Sequence, residues 1–268
     1  MKAFLKVILL KPLFNILVLL TLIIPGNSLG WAIVLMTILI RLALLPSTNS
    51  ATRMQKKMKI IQPEMHKIKE EFKNDPTIQR QKTMDLYKKH QINPVGSCLP
   101  MLVQLPIMFI MYYVFREIGT AGHRYDLLYS FVKAPANLNM IFFGINLAEV
   151  EKWYLPITSG ALQLASSWQM KPKKEAGKEM DMATSLTYQM IFIFPIMTIM
   201  VGRALPAALP LYWAVSTAFT VVQQRIILKN TGKDKVVGVA EKKVDPNLLE
   251  KSRSRGGVEL TVRKKGRS

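Results

Sequence analysis

The sequence predicts an all-α membrane protein. The expected form is a five-transmembrane-helix bundle with a cytoplasmic helical hairpin and an N-terminal interfacial (or extra spanning) helix. Three observations carry this reading. Half of the 268 residues are apolar and clump into long uncharged runs, and runs of about 18 residues or more read as bilayer-spanning helices. Strongly basic stretches separate those runs. The basic stretches also fall on one side of the bundle when five spans are counted, as loops that stay in the cytoplasm do.

Residues 1–27 form the first segment. They are apolar apart from Lys2, Lys6 and Lys11, with Pro12 and Asn15 as interruptions and Pro25-Gly26-Asn27 as a closing turn. No small-residue cleavage site follows. Either an amphipathic helix lying in the interface or an additional span fits.

The core, 28–228, holds spans near 28–47, 95–116, 153–170, 183–203 and 207–228. Residues 51–92 carry eleven Lys/Arg against five acids, 171–181 four against three, and 229–268 twelve against five. The connection 116–153 is balanced, four against four. This asymmetry sets an outside start for the first span and a cytoplasmic C-terminus. The third span is diluted by Thr158, Ser159, Gln163, Ser166, Ser167 and Gln169. Those groups are uncharged, so the helix should face other helices or water rather than lipid.

Segment 51–92 is the expected hairpin. Met54, Met58, Ile61, Met65, Ile68 and Phe72 recur at three- and four-residue steps, an apolar stripe on one helix. Pro63 should kink that arm. Asn74-Asp75-Pro76 makes a turn, with Asp75 as N-cap and Pro76 at the first position of a second helix that runs to about Lys89. Met54, Met58 and Met65 are candidate contacts for varied apolar partners, since methionine is flexible and polarisable, although ordinary core filling also explains them. The tail 229–268 is basic and poor in aromatics, and should be disordered. Its physical partners are anionic headgroups or nucleic-acid phosphates.

Function classes can then be excluded. The five spans contain no Asp or Glu, and His66, His90 and His123 lie outside them. Intramembrane proteases and proton-relay transporters need such groups at their sites. The same lack of acids and histidines in the spans disfavours a metal site, and no glycine-rich phosphate cradle appears, so no nucleotide use and no cofactor are expected. The single cysteine, Cys98, excludes an intrachain disulfide and reads as a small buried apolar residue.

One residue breaks the apolar pattern. Arg41 lies in Ile-Leu-Ile-Arg-Leu-Ala-Leu-Leu at 38–45, about 9 Å inside Ser47 at ~1.5 Å per residue. A guanidinium at membrane depth costs ~2.5–3.5 kcal/mol on insertion scales and cannot shed its proton. It can snorkel to the headgroups, bond buried carbonyls, or project into a water-filled cavity between helices. The polar third span would form the opposite wall of such a cavity. Gln104 is a further wall candidate or an interhelical hydrogen bond. Tyr212 and Trp213, near the outer end of the last span, read as an aromatic belt.

Several stretches together carry a family resemblance. They include Lys-Pro-Leu-Phe-Asn at 11–15, Ile-Leu-Ile-Arg-Leu at 38–42 with Pro46, and Gln-Lys-Lys-Met-Lys-Ile-Ile-Gln-Pro-Glu at 55–64. Leu-Tyr-Lys-Lys at 86–89 and Asn-Pro-Val-Gly-Ser-Cys-Leu-Pro-Met-Leu-Val-Gln-Leu-Pro-Ile at 93–107 follow. Phe-Gly-Ile-Asn-Leu at 143–147, Leu-Pro-Ile at 155–157 and Pro-Ala-Ala-Leu-Pro-Leu-Tyr-Trp at 206–213 complete the series. In order and spacing, over nearly all of 11–228, the chain resembles the YidC/Oxa/Alb membrane protein insertases, in the bacterial form without the large periplasmic domain. The resemblance implies a hydrophilic groove open to the cytoplasm and to lipid, no enzymatic activity, and location in the bacterial inner membrane. It places Arg41 at the groove arginine and Trp213 at the groove wall. The candidate groove set is therefore Arg41, Gln104, Gln163, Tyr212 and Trp213. The implied partners are nascent membrane proteins, the lipid bilayer, the ribosome through the basic tail, and the Sec translocation channel; DNA is not among them. The run Gln-Leu-Ala-Ser-Ser-Trp-Gln-Met at 163–170 departs from the glutamine-rich run of many members. The rival readings are a channel or solute transporter with an Arg-lined path, and a membrane scaffold that works only through its hairpin and tail.

Overall fold

A computed structural model of the chain describes residues 6–119, 127–135, 137–171 and 182–230. Among these residues there are eight α-helices and one two-stranded sheet. The helices are α1 (Lys11–Ile23), α2 (Leu29–Ala43), α3 (Leu45–Glu71), α4 (Pro76–Lys89), α5 (Pro94–Gly119), α6 (Tyr154–Gln169), α7 (Met182–Gly202) and α8 (Ala208–Asn230). The strands β1 (Ile141–Phe142) and β2 (Ile145–Asn146) pair antiparallel between α5 and α6. The basic tail beyond residue 230, the connection 172–181, and the side chain of Cys98 lie outside the described residues.

Apolar faces meet where the sequence clusters its large aliphatics. Leu17 of α1, Ala32, Ile33 and Met36 of α2, Met111 and Val114 of α5, and Leu209 of α8 are buried in one core. Polar groups inside it satisfy themselves locally. Thr37 donates to the carbonyl of Ile33 at 2.6 Å, and Thr21 to that of Val18 at 2.7 Å. An apolar surrounding demands such pairing of every buried donor. Helices α6 and α7 pack closely through Gly160, where an added Cβ would fall 2.4 Å from Ile199. Small residues of this kind let helix backbones approach.

Helix α1 is tied to the connection between α5 and α6 near both its ends. Asn15 donates to the Leu127 carbonyl at 2.9 Å and accepts from the Tyr129 amide at 2.8 Å. The turn after the helix pairs Asn27 with Asn139 (3.1 Å) and Asn137 (3.0 Å).

The first long apolar run differs from its expected extent. A helix spanning 28–47 was expected, but α2 ends at Ala43 and α3 leaves it at 67°. Pro46 explains the break, because it lacks an N–H and its ring clashes with the carbonyl four residues back. Taken together the bent pair is long and apolar enough to cross a membrane. Among the described residues no single helix meets that test by itself. Shortness explains α2 and α6, at 15 and 16 residues, and polar residues dilute α6 and α8.

Asp75 caps α4 as expected, accepting from Thr77 N at 3.1 Å and Ile78 N at 3.0 Å. The kink expected at Pro63 does not end the arm, and α3 continues through it to Glu71. The methionine stripe faces inward. Met54, Met58 and Met65 pack with Ile68 and Tyr87 around buried Ile61, Leu86 and Ile92, and the Tyr87 hydroxyl reaches Met65 Sδ at 3.7 Å. The three methionines are thus partly buried, packed against the interior of the α3–α4 pair. Burial there raises the Tyr87 phenol above its ordinary pKa.

Candidate functional site

Arg41 sits in the last turn of α2, one residue from the exposed Leu42 and two from the exposed Leu39. Its Nε donates to Ser216 Oγ of α8 at 2.8 Å, and one terminal nitrogen bonds the same hydroxyl. That nitrogen also approaches Gln104 Oε1 of α5 at 3.4 Å. Gln104 Nε2 in turn donates toward the Tyr212 hydroxyl at 3.3 Å. The guanidinium is therefore held by neutral partners on two other helices. Neutral partners fix its direction without cancelling its charge.

A cavity of about 510 Å³ opens beside it. Arg41, Gln104, Gln163 and Trp213 all line it, so four of the five candidate groove residues converge on one space. Tyr212 does not join them. It is 2% exposed and belongs to the core, with its ring centroid 6.4 Å from that of Phe115. Successive residues of a helix point about 100° apart, so Trp213 can face the cavity while Tyr212 backs the wall and reaches it through Gln104. The belt reading of the pair therefore does not describe their surroundings.

The polar wall is wider than the sequence reading drew it. Ser166 of α6 donates to Gln224 of α8 at 3.1 Å, and Thr217, Thr220 and Gln224 line the same space. At the end of the cavity toward α3, Gln223 donates to Thr48 at 2.8 Å and Asn49 at 2.6 Å. A signal for these residues was present. Ser216, Thr220, Gln223 and Gln224 recur at four-, three- and one-residue steps, a polar stripe on an apolar helix. Among the described residues no carboxylate, histidine or cysteine lines the cavity, and no group of such side chains could hold a metal ion.

Helix α6 enters the site from a charged cap. Glu151 accepts from the amides of Trp153 (2.6 Å), Tyr154 (2.9 Å) and Leu155 (2.8 Å). Desolvation pushes its carboxyl up, but the three amide bonds outweigh it and leave the pKa below the usual carboxylate value.

Comparison with known proteins bears on what this arrangement belongs to. A family model described as 60Kd inner membrane protein matches residues 20–234. The chain belongs to the 60Kd inner membrane protein family. Among relatives in this family, the membrane protein insertase YidC of Fusobacterium nucleatum is 35% identical over 205 residues, covering 76% of this chain and 87% of that protein. The YidC of Clostridium tetani is 36% identical, over 70% of this chain and 76% of its own. The membrane protein insertase MisCA of Bacillus subtilis is 34% identical, over 75% and 71%. These relatives are named for insertion, not for a catalytic activity, and the 60Kd family description locates its members in an inner membrane.

Proposed function

We propose that this chain is a membrane protein insertase that receives nascent membrane proteins in its polar cavity and releases them sideways into lipid without nucleotide. Five helices, α2 and α5 to α8, form the spanning core. The α3–α4 pair is its cytoplasmic hairpin, the C-terminus is cytoplasmic, and 229–268 is a basic tail. Helix α1 lies along the outer face rather than spanning, because both its ends bond the same outer connection. The ribosome and the Sec channel are proposed partners through the tail and the core.

The single observation that carries this reading is the geometry of Arg41, aimed into the cavity and hydrogen-bonded only through neutral side chains. The acidic flank of a passenger would supply the missing counter-charge. Size argues in the same direction. A spanning helix about 30 Å long and 10 Å across occupies roughly 2,400 Å³, more than the whole open space of the cavity and its mouth, about 1730 Å³. Only a short flank fits, so the apolar segment must partition through lipid, where a helix satisfies its own backbone. Trp213, Gln163 and Gln104 are the proposed contacts for that flank.

The direct test uses liposomes containing only this chain and a single-span test protein. Insertion above that in empty liposomes, unaffected by the presence or absence of nucleotide, is expected. Ion flux through the purified chain without insertion would overturn the reading in favour of a channel.

A further inference from the structure

At the end of α2 opposite Arg41, the β1–β2 hairpin turns through Phe143 and Gly144. Both have positive φ, 47° and 79°, the backbone of a two-residue hairpin turn that favours Asn-Gly. A bulky aromatic in that conformation is strained. Its ring nevertheless gains no burial, for Phe143 is 82% exposed. Strain of this kind persists where the conformation serves something beyond folding.

The hairpin is fixed to α2 rather than swinging free. Phe142 lies against Gly30 so closely that an added Cβ would fall 2.1 Å from its ring. Leu29 N donates to the Asn139 carbonyl at 2.9 Å. Trp31 meets both phenylalanines edge-on, with centroids 5.4 and 6.3 Å away. Trp31 and Ile141 are each 52% exposed. Residues 134–148 contain no Lys, Arg, Asp or Glu.

One feature of α2 identifies the occupant of this surface. Trp31, Leu35, Leu39 and Leu42 are all exposed and follow at steps of four, four and three, a single stripe that runs the length of the helix. The aromatic cluster continues that stripe at its outer end. If the stripe faces hydrocarbon, the cluster falls at headgroup depth, where aromatic rings are favoured.

We propose that the β1–β2 hairpin is a lipid-seating element. Phe143, Ile141 and Trp31 sit in the headgroup layer of the outer leaflet and fix the depth of α2, and with it the depth of Arg41. This rests on the reading of α2 as a spanning helix, and the experiment separates the two. Single cysteines at Phe143 or Leu39, in a Cys98→Ala chain, are labelled with an environment-sensitive fluorophore. The full chain is reconstituted in phosphatidylcholine–phosphatidylglycerol vesicles with nitroxide lipids. The expected result is blue-shifted emission at 143 quenched more by shallow than by deep nitroxides, with the reverse order at 39. Water-like emission at 143 with hydrocarbon-like emission at 39 overturns the seating and leaves the span intact. Water-like emission at both overturns both. Blue-shifted emission at 143 that no nitroxide quenches also overturns it, in favour of a protein partner. Phe143→Asn suits the turn backbone and should fold. In that variant the quenching ratio at 39 should shift, and an unmoved ratio overturns the depth-setting role.

Discussion

Replacing Arg41 with alanine isolates the charge from the scaffold. At an effective dielectric of ~20, a carboxylate about 6 Å from the guanidinium gains about 2.8 kcal/mol. That corresponds to roughly a hundredfold in partitioning at ~1.4 kcal/mol per decade. The scaffold should tolerate the loss. The freed groups, Ser216 and Gln104, border the cavity and can be hydrated, while removal of the charge spares ~2.5–3.5 kcal/mol of insertion penalty. The assay compares two single-span test proteins, one with an acidic flank and one with a neutral flank, inserted into vesicles containing wild type or Arg41→Ala. The acidic-flank substrate should lose between about tenfold and a hundredfold, because water in the cavity raises the dielectric and lowers the full value. The neutral-flank substrate should change little. Arg41→Lys should fall between, since it keeps the charge but loses the planar fork. Equal losses for both flanks would mean that Arg41 acts through structure, and no loss for either would refute the electrostatic reasoning.

Gln223→Leu removes two hydrogen bonds to Thr48 and Asn49, worth about 1–3 kcal/mol together. Hydrogen exchange should quicken in the first turns of α3 and stay unchanged at the start of α8. Glu151→Gln weakens the cap of α6 by about 1 kcal/mol or less, given its exposure. Because the folded carboxyl has the lower pKa, its contribution is present above the ordinary value of 4.5 and disappears as pH falls through the folded value. Thermal melts of wild type should therefore steepen their decline in that acid window, and those of Glu151→Gln should not. Insertion activity should also decline in vesicles of long-chain lipids relative to short-chain ones, measured at equal protein incorporation.

What the sequence disclosed depended on the range of the force involved. The Asp75 cap was legible because side chain, amide and proline lie within three residues. Arg41 was legible because a charge in an apolar run demands a reason. The inward direction of Met54, Met58 and Met65 was not, since an apolar stripe reads alike whether α4 or a foreign partner covers it. The bend at Leu44 needed Pro46 to be weighed against a strong apolar run, and the run dominated. The polar stripe places Ser216 on one face of α8, but its bond to Arg41, 175 residues away, is not written in any local pattern. The β-hairpin escaped because a Phe-Gly turn lacks the usual Asn-Gly signal.

The short helices and the buried charge act in one direction. Helices α2 and α6, with 15 and 16 residues, reach only about 22 and 24 Å at ~1.5 Å per residue. The hydrocarbon core is ~30 Å thick, and a shorter apolar segment draws the bilayer thinner around it. If α2 and α6 span as proposed, such thinning would bring headgroups and water toward Arg41 and lower the cost of holding a guanidinium at that depth. The same thinning shortens the path a passenger's polar flank must cross. A longer, wholly apolar α2 would suit the bilayer better and would serve insertion worse, because it would thicken the barrier and strand the charge at once. On the proposed spanning arrangement, the shortness of α2 and α6 serves the cavity rather than the fit to the bilayer.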